Sequence, residues 1–72
     1  MFNRVKPGNP SVGDLFLKAA DNSRHVWIVA RTFVHVDGIL HAVLSHRDQP
    51  REIITVSVPA LADPALFRRV AV

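Results

Sequence analysis

HVWIVARTFVHVDGILHAVLSHR, residues 25–47, has the pattern of two β-strands joined by a turn at Asp37-Gly38. Its first half is rich in Val, Ile, Trp, Phe and Thr, the β-branched and aromatic residues that suit a pleated sheet. Asp-Gly between two such runs is the strongest short-range signal for a hairpin. We therefore predict a strand over residues 25–36, a two-residue loop at Asp37-Gly38 and a return strand over residues 39–46.

A two-residue loop fixes which residues of the hairpin share a face, because side chains alternate along a strand. It pairs Val36 with Ile39 and Phe33 with Ala42. Both faces are then largely apolar. The first face carries Trp27, Val29, Arg31, Phe33, His35, Leu40, Ala42, Leu44 and His46. The second face carries Val26, Ile28, Ala30, Thr32, Val34, Val36, Ile39, His41, Val43, Ser45 and Arg47.

A third strand, EIITVSV at residues 52–58, decides between the two faces. Pairing it with the return strand across the turn RDQPR places its even-numbered apolar residues on the Trp27 side. The predicted core is Trp27, Val29, Phe33, Leu40, Ala42, Leu44, Ile54, Val56 and Val58, joined by Leu15, Leu17, Leu61 and Phe67. Arg31 does not suit this face, and a β-bulge near residues 30–32 would let it reach solvent.

The chain before the hairpin gives one further strand. Residues 1–13 are rich in Pro and Gly and are predicted to be an irregular leader, with a short edge strand at Phe2–Val5. DLFLKAA, residues 14–20, alternates as a strand does. Its Leu, Lys and Ala residues behind a capping Asp14 also suit a short helix, so both alternatives stay open.

The chain after the third strand changes its pattern. VPALADPALF, residues 58–67, is predicted to hold a helical turn, because Pro59 suits the first position of a helix. RRVAV, residues 68–72, closes as a short strand. Five short strands with one helical turn before the last predict an all-β fold, a small five-stranded barrel that makes residues 14–72 a single domain.

The composition limits the class of protein. The chain has 72 residues, 49% of them hydrophobic, with no cysteine and a formal charge of +3. One small domain must therefore be stabilised by its core, or by another chain, without disulfide bonds. The longest apolar run, Val26–Ala30, is far too short to span a membrane, and the first ten residues have no signal-peptide core. We expect a cytoplasmic protein with no membrane association.

The order of elements resembles that of the SH3-like small barrels. The points of likeness are a strand after VGD (12–14), the WIV strand (27–29), DG (37–38) with its return strand, and VPALADPALF (58–67) before a terminal strand. Residues 11–72 look like the small uncharacterised bacterial proteins that share such a barrel. The resemblance implies the fold and no binding site. The surface tyrosines of peptide-binding SH3 domains, the aromatic cage of methyl-lysine readers and the basic glycine-rich loop of ribosomal and transcriptional relatives are missing.

Four histidines lie within the hairpin: His25, His35, His41 and His46. In the predicted register His35 and His46 stand at opposite ends of one face and His41 lies on the other, so they do not converge on a metal ion. The sequence also lacks cysteine, a glycine-rich phosphate loop and a serine in a nucleophile elbow, and its carboxylates suit turns and caps. We expect no enzyme activity, no cofactor and no metal site.

The second apolar face of the hairpin remains to be explained, since monomers rarely expose a large contiguous apolar patch. Either the leader and the helical turn cover it, or a second copy or another protein does. We predict a non-catalytic interaction module that assembles with itself or with a protein partner through this outer face. The predicted interface residues are Ile28, Val34, Val36, Ile39, His41 and Val43.

The alternative prediction is a weakly basic nucleic-acid-binding barrel. Its candidate residues are Arg4, Lys6, Arg24, Arg47, Arg51, Arg68 and Arg69. Arginine suits both phosphates and base edges. Proteins that bind single strands also expose a row of stacking aromatics, and the predicted faces show no such row. We therefore rank this alternative below the interaction module.

Overall fold

The computed structural model describes residues 9–22 and 24–70. The elements in chain order are β1 (Leu15–Lys18), a 3-10 helical turn (Ala19–Asp21), β2 (Val26–Val34), β3 (Leu40–His46), β4 (Ile53–Ser57), α1 (Val58–Leu61) and β5 (Phe67–Val70). The strands form one antiparallel sheet in the order β4-β3-β2-β1-β5, curled into a half-barrel. Helix α1 packs against β3, β4 and β5. The predicted all-β architecture with a helical turn before the last strand is confirmed.

The loop between β2 and β3 is one residue longer than predicted. The His35 N–H donates to the Ile39 carbonyl at 2.9 Å, and the Gly38 N–H donates to the His35 carbonyl at 2.8 Å. Residues 36–38 therefore form a three-residue loop, with Gly38 at φ +82° in the left-handed region. A two-residue type I′ loop would require positive φ at Asp37 as well. Only the glycine adopts it here, which is the less strained solution.

A β-bulge at Ala30 makes the second change of register, as the sequence predicted. The pairing of β2 with β3 shifts between Val29 and Arg31. At the base of the hairpin the loop and the bulge together shift the pairing by two residues, so Val29 still shares a face with Leu44 as predicted. Beyond the bulge the faces are exchanged, and Phe33 pairs with His41 on the outer face. The predicted core position of Phe33 is therefore wrong.

The core lies on the Trp27 side of the sheet, as predicted. Its buried residues are Phe16, Trp27, Val29, Ala42, Leu44, Leu61 and Phe67, with Ile54 and Val56 packed against them. The predicted contribution of Leu15 and Leu17 is wrong: Phe16 is the β1 residue that pairs with Trp27, so both leucines point to the outer face. Leu40, also predicted to be core, is half-buried because it lies near the end of the hairpin.

The shorter elements follow local signals. β1 is a strand, and the helical alternative applies only to the three residues after it. β4 ends at Ser57, one residue before its predicted end, because the Ser57 hydroxyl caps α1 by accepting the Ala60 N–H at 3.3 Å. The predicted edge strand at Phe2–Val5 lies outside the described residues. No helix within residues 9–22 and 24–70 has the length and apolar character to cross a membrane.

Candidate interaction surfaces

The β2–β3 hairpin extends past the strands that flank it. β1 pairs with β2 only as far as Ile28, and β4 pairs with β3 only as far as His41. Residues 31–41, which we call the arm, lie beyond β1, and from Val34 to Leu40 they form a ribbon of two strands at one end of the sheet, because the Phe33–His41 pair still borders Ser57 of β4. An isolated two-stranded ribbon is at best marginally stable in water, so an arm of this kind gains from a further contact.

Three large apolar side chains are exposed at the end of the arm. Val34 is 67% exposed, Val36 is 96% exposed and Ile39 is 41% exposed. Asp37 stands between them in the loop, where its carboxylate accepts the Ile39 N–H at 2.8 Å. We call these four residues the tip. The tip combines an apolar surface with one carboxylate.

The outer face of the arm carries a group of rings and a guanidinium, which we call the arm cluster: Arg31, Phe33, His35 and His41. The Phe33 and His41 rings are stacked, with centroids 5.6 Å apart and planes inclined by 22°. His35 lies against both rings, and the Arg31 guanidinium carbon is 5.3 Å from the Phe33 centroid. His41 Nδ1 lies 2.9 Å from the Ile39 carbonyl, which can only accept, so Nδ1 carries the hydrogen.

The predicted interface residues do not share one face. Ile28, His41 and Val43 are on the outer face, whereas Val34 is on the core side and pairs with Leu40 rather than with His41. Val43 is buried between Arg31 of β2 and Thr55 of β4. Of the predicted set, the residues at the tip are therefore exposed, whereas Ile28 and His41 on the outer face are half-buried.

A groove lies at the opposite end of the molecule. It has a volume of about 540 Å³ and is lined by Phe16, Leu61, Ala62, Pro64, Phe67, Arg68 and Arg69. Its floor is apolar and two guanidinium groups border it. Arg69 contacts Asp14 at 3.4 Å and donates to the Asn9 carbonyl at 3.2 Å. Arg68 is exposed on the edge strand β5.

The candidate nucleic-acid residues do not form one patch. Arg4 and Lys6 lie outside the described residues. Arg24 is exposed before β2, and Arg69 is held beside Asp14. Arg51 borders a second groove of about 450 Å³, whose other lining residues are Lys18, Trp27, Glu52, Ile53 and Ile54. Only Arg47 and Arg68 lie in one row of the outer face, with Val26 and Leu17 between them.

The histidines form two pairs rather than one site. The His25 and His46 rings are 4.9 Å apart at the base of the hairpin, and the His35 and His41 rings are 5.2 Å apart on the arm. The prediction that His35 and His41 lie on opposite faces is wrong, for the same reason as for Phe33. Within the part of the chain that the structure describes, no three His, Cys, Asp or Glu side chains are grouped to hold a metal ion.

Sequence reasoning missed the arm cluster because it placed Phe33 in the core. The signal that could have revealed it was the predicted bulge itself, since a bulge that turns Arg31 outward also turns outward every second residue beyond it. No protein-family model, curated protein or solved structure matches the chain. The tip, the groove and the outer face are therefore the candidate surfaces of the molecule.

Proposed function

We propose that this chain is a cytoplasmic, SH3-like small barrel without catalytic activity, and that it assembles with a second copy of itself through the tip of its arm. The observation that carries the proposal is the exposure of Val36, 96%, between two further exposed apolar residues. Removing apolar surface from water yields about 25 cal/mol for each Å² buried. An apolar tip on a projecting ribbon is typical of a surface that another molecule covers.

The groove of a second copy is the occupant that matches the tip. Its floor is apolar, as Val34, Val36 and Ile39 of the tip are, and the exposed Arg68 on its border complements the exposed Asp37 of the tip. A volume of about 540 Å³ falls in the range of protein binding pockets. Its lining residues supply no nucleophile, general base or metal ligand, which favours binding over catalysis.

The tip and the groove lie at opposite ends of one chain. Phe67, at the groove, pairs with Lys18, and Leu17, the residue before Lys18, pairs with Val26. Val34 lies eight residues further along β2, a rise of about 26 Å at 3.3 Å per residue. A chain therefore does not fill its own groove. Two antiparallel copies place each tip at the other's groove and close a dimer with two-fold symmetry.

The first test changes Val36, whose exposure means that lysine there costs the fold little. We expect wild type to be a dimer by sedimentation equilibrium at high concentration, and Val36→Lys to be a folded monomer by sedimentation and circular dichroism. An unpaired charge in a buried contact costs several kcal/mol. Val12→Lys is the matched control, since Val12 is 68% exposed outside the arm and the groove lining. A monomeric wild type, or equal effects of both variants, would contradict the proposal.

A second test asks whether Asp37 and Arg68 face each other in the dimer. Asp37→Lys and Arg68→Glu should each weaken dimerisation, and the double variant should recover part of the affinity. Contacting residues typically couple by about 0.5–3 kcal/mol, whereas distant residues are additive. Thermal melts of each variant at low concentration separate the loss of the Asp37 turn bond from the loss of the contact. Strict additivity would show that the tip of one copy does not reach the Arg68 border of the other.

A further inference from the structure

The outer face of the sheet has basic residues and no acidic ones among the described strand positions. It carries Arg31 on β2, Arg68 on β5 and Arg47 just after β3, whose N–H donates to the Val26 carbonyl at 2.9 Å. The six acidic residues lie at strand ends, in loops or in turns: Asp14, Asp21, Asp37, Asp48, Glu52 and Asp63. Among the described residues there are seven basic residues and six acidic ones, and three of the basic ones, Arg31, Arg47 and Arg68, lie on the outer face.

The arm cluster adds stacking surface to this positive face. The Phe33 and His41 rings are stacked with their planes inclined by 22°, His35 extends the group, and Arg31 lies over the Phe33 ring. Aromatic rings and a guanidinium plane are the groups on which unpaired bases stack, whatever the base. The cluster places one phenyl and two imidazole rings on the outer face, with Phe33 and His41 half-buried and His35 exposed, whereas the predicted faces showed no such group. The cluster forms because the bulge turns Phe33 outward and the three-residue loop places His41 on the same face.

We infer that the outer face binds single-stranded nucleic acid, with bases stacked on the arm cluster and phosphates held by Arg31, Arg47 and Arg68. Val26 lies beside Arg47, and Phe33 lies seven residues further along β2. This separation is about 23 Å. A strand of several nucleotides spans that length. Duplex is disfavoured as the ligand, because its bases are stacked on one another and cannot lie against Phe33. Arg68 also borders the groove of the proposed dimer, whereas the arm cluster and Arg47 lie outside that contact, so base stacking on the arm cluster does not depend on the dimer.

The test is fluorescence anisotropy with labelled single-stranded DNA and RNA of about twelve nucleotides, within the site sizes known for small barrels. Duplex DNA of the same length is the comparison. We expect micromolar binding of the single strands at low salt and weaker binding of the duplex. The logarithm of affinity should fall with the logarithm of salt concentration, by about 0.7 for each phosphate neutralised on a single strand. The DNA and RNA arms show which sugar is preferred.

Two variants separate stacking from charge. Phe33→Leu keeps an apolar side chain and removes the ring, and we expect a loss of affinity of about 5- to 150-fold, the range for one stacked base. Arg31→Gln, at an exposed position, should reduce the salt slope by about 0.7. Leu66→Ala is the control, because Leu66 is exposed away from the outer strand positions and should bind as wild type does. Circular dichroism melts establish that each variant is folded.

Three results would overturn the inference. The first is no binding of either single strand at low salt. The second is duplex binding as tight as that of the single strands. The third is unchanged binding by Phe33→Leu and Arg31→Gln together with full displacement by inorganic polyphosphate, which would show a non-specific response to charge. If Phe33→Leu does not fold, Arg31→Gln decides alone, since an unchanged salt slope would place the bound strand elsewhere.

Discussion

Trp27 connects three strands of the sheet within the core. It is buried, pairs with Phe16 on β1 and His46 on β3, and meets the His46 ring edge-on at 5.0 Å. His46 is buried beside it, and its Nδ1 accepts the N–H groups of Asp48 and Gln49, each at 3.1 Å. This histidine is therefore satisfied by the turn that follows β3. His46 therefore has a structural role, and its ring packs against Trp27 at the base of the hairpin.

Trp27→Ala should severely destabilise or unfold the protein. Truncation of a buried aromatic side chain typically costs about 3–5 kcal/mol, while the whole stability of a native domain is only about 5–15 kcal/mol. Urea denaturation followed by circular dichroism measures the change. Trp27→Phe is the control and should cost less, because it retains a ring in the core. A melting temperature of Trp27→Ala within a few degrees of wild type would show that Trp27 does not belong to the core.

At the scale of elements, the sequence predicted the strands better than the pairing between them. Alternation and β-branched content located β2, β3 and β4, because those signals are local. Which face Phe33 occupies depends on the loop length and on the bulge, each of which shifts the register by one residue. The bulge was predicted because Arg31 could not be buried. The third loop residue was not, since Asp-Gly suits two-residue loops and also loops with glycine in the left-handed position.

Gly38→Ala tests the loop that sets this register. A Cβ at Gly38 would meet nothing within 4 Å, so the substitution is penalised by the backbone alone. Left-handed φ costs a residue with a side chain about 1–2 kcal/mol, and we expect the free energy of unfolding to fall by that amount. Gly38→Asn is the control and should lose less, because Asn tolerates this conformation. Equal stability of Gly38→Ala and wild type would show that residue 38 does not hold a positive φ.

The size and the shape of the whole chain are the physical grounds for proposing a dimer. A 72-residue chain without cysteine has a small core and no covalent cross-link. Its sheet closes only half a barrel, and its arm projects beyond the neighbouring strands. The sequence pointed to an apolar surface and to the tip residues within it. The sequence placed all the predicted interface residues on one face, whereas the structure divides them between two. The groove could not be predicted, because it forms only when α1 and β5 are folded against Phe16.

The dependence of thermal stability on protein concentration tests the assembly as a whole. A partner that binds only the folded chain stabilises it, by about 2.7 kcal/mol when its concentration is one hundred times the Kd. For a domain of this size each kcal/mol raises the Tm by about 4–8 °C. We therefore expect the Tm of wild type to rise by about 10–20 °C between dilute protein and that concentration. The Tm of Val36→Lys should stay at the value of dilute wild type throughout, because its tip carries a charge that the groove cannot accept. Differential scanning calorimetry over a concentration series measures both curves. If the two rise together, the chains associate through a surface other than the tip, and if neither rises, the folded state is stable without a partner.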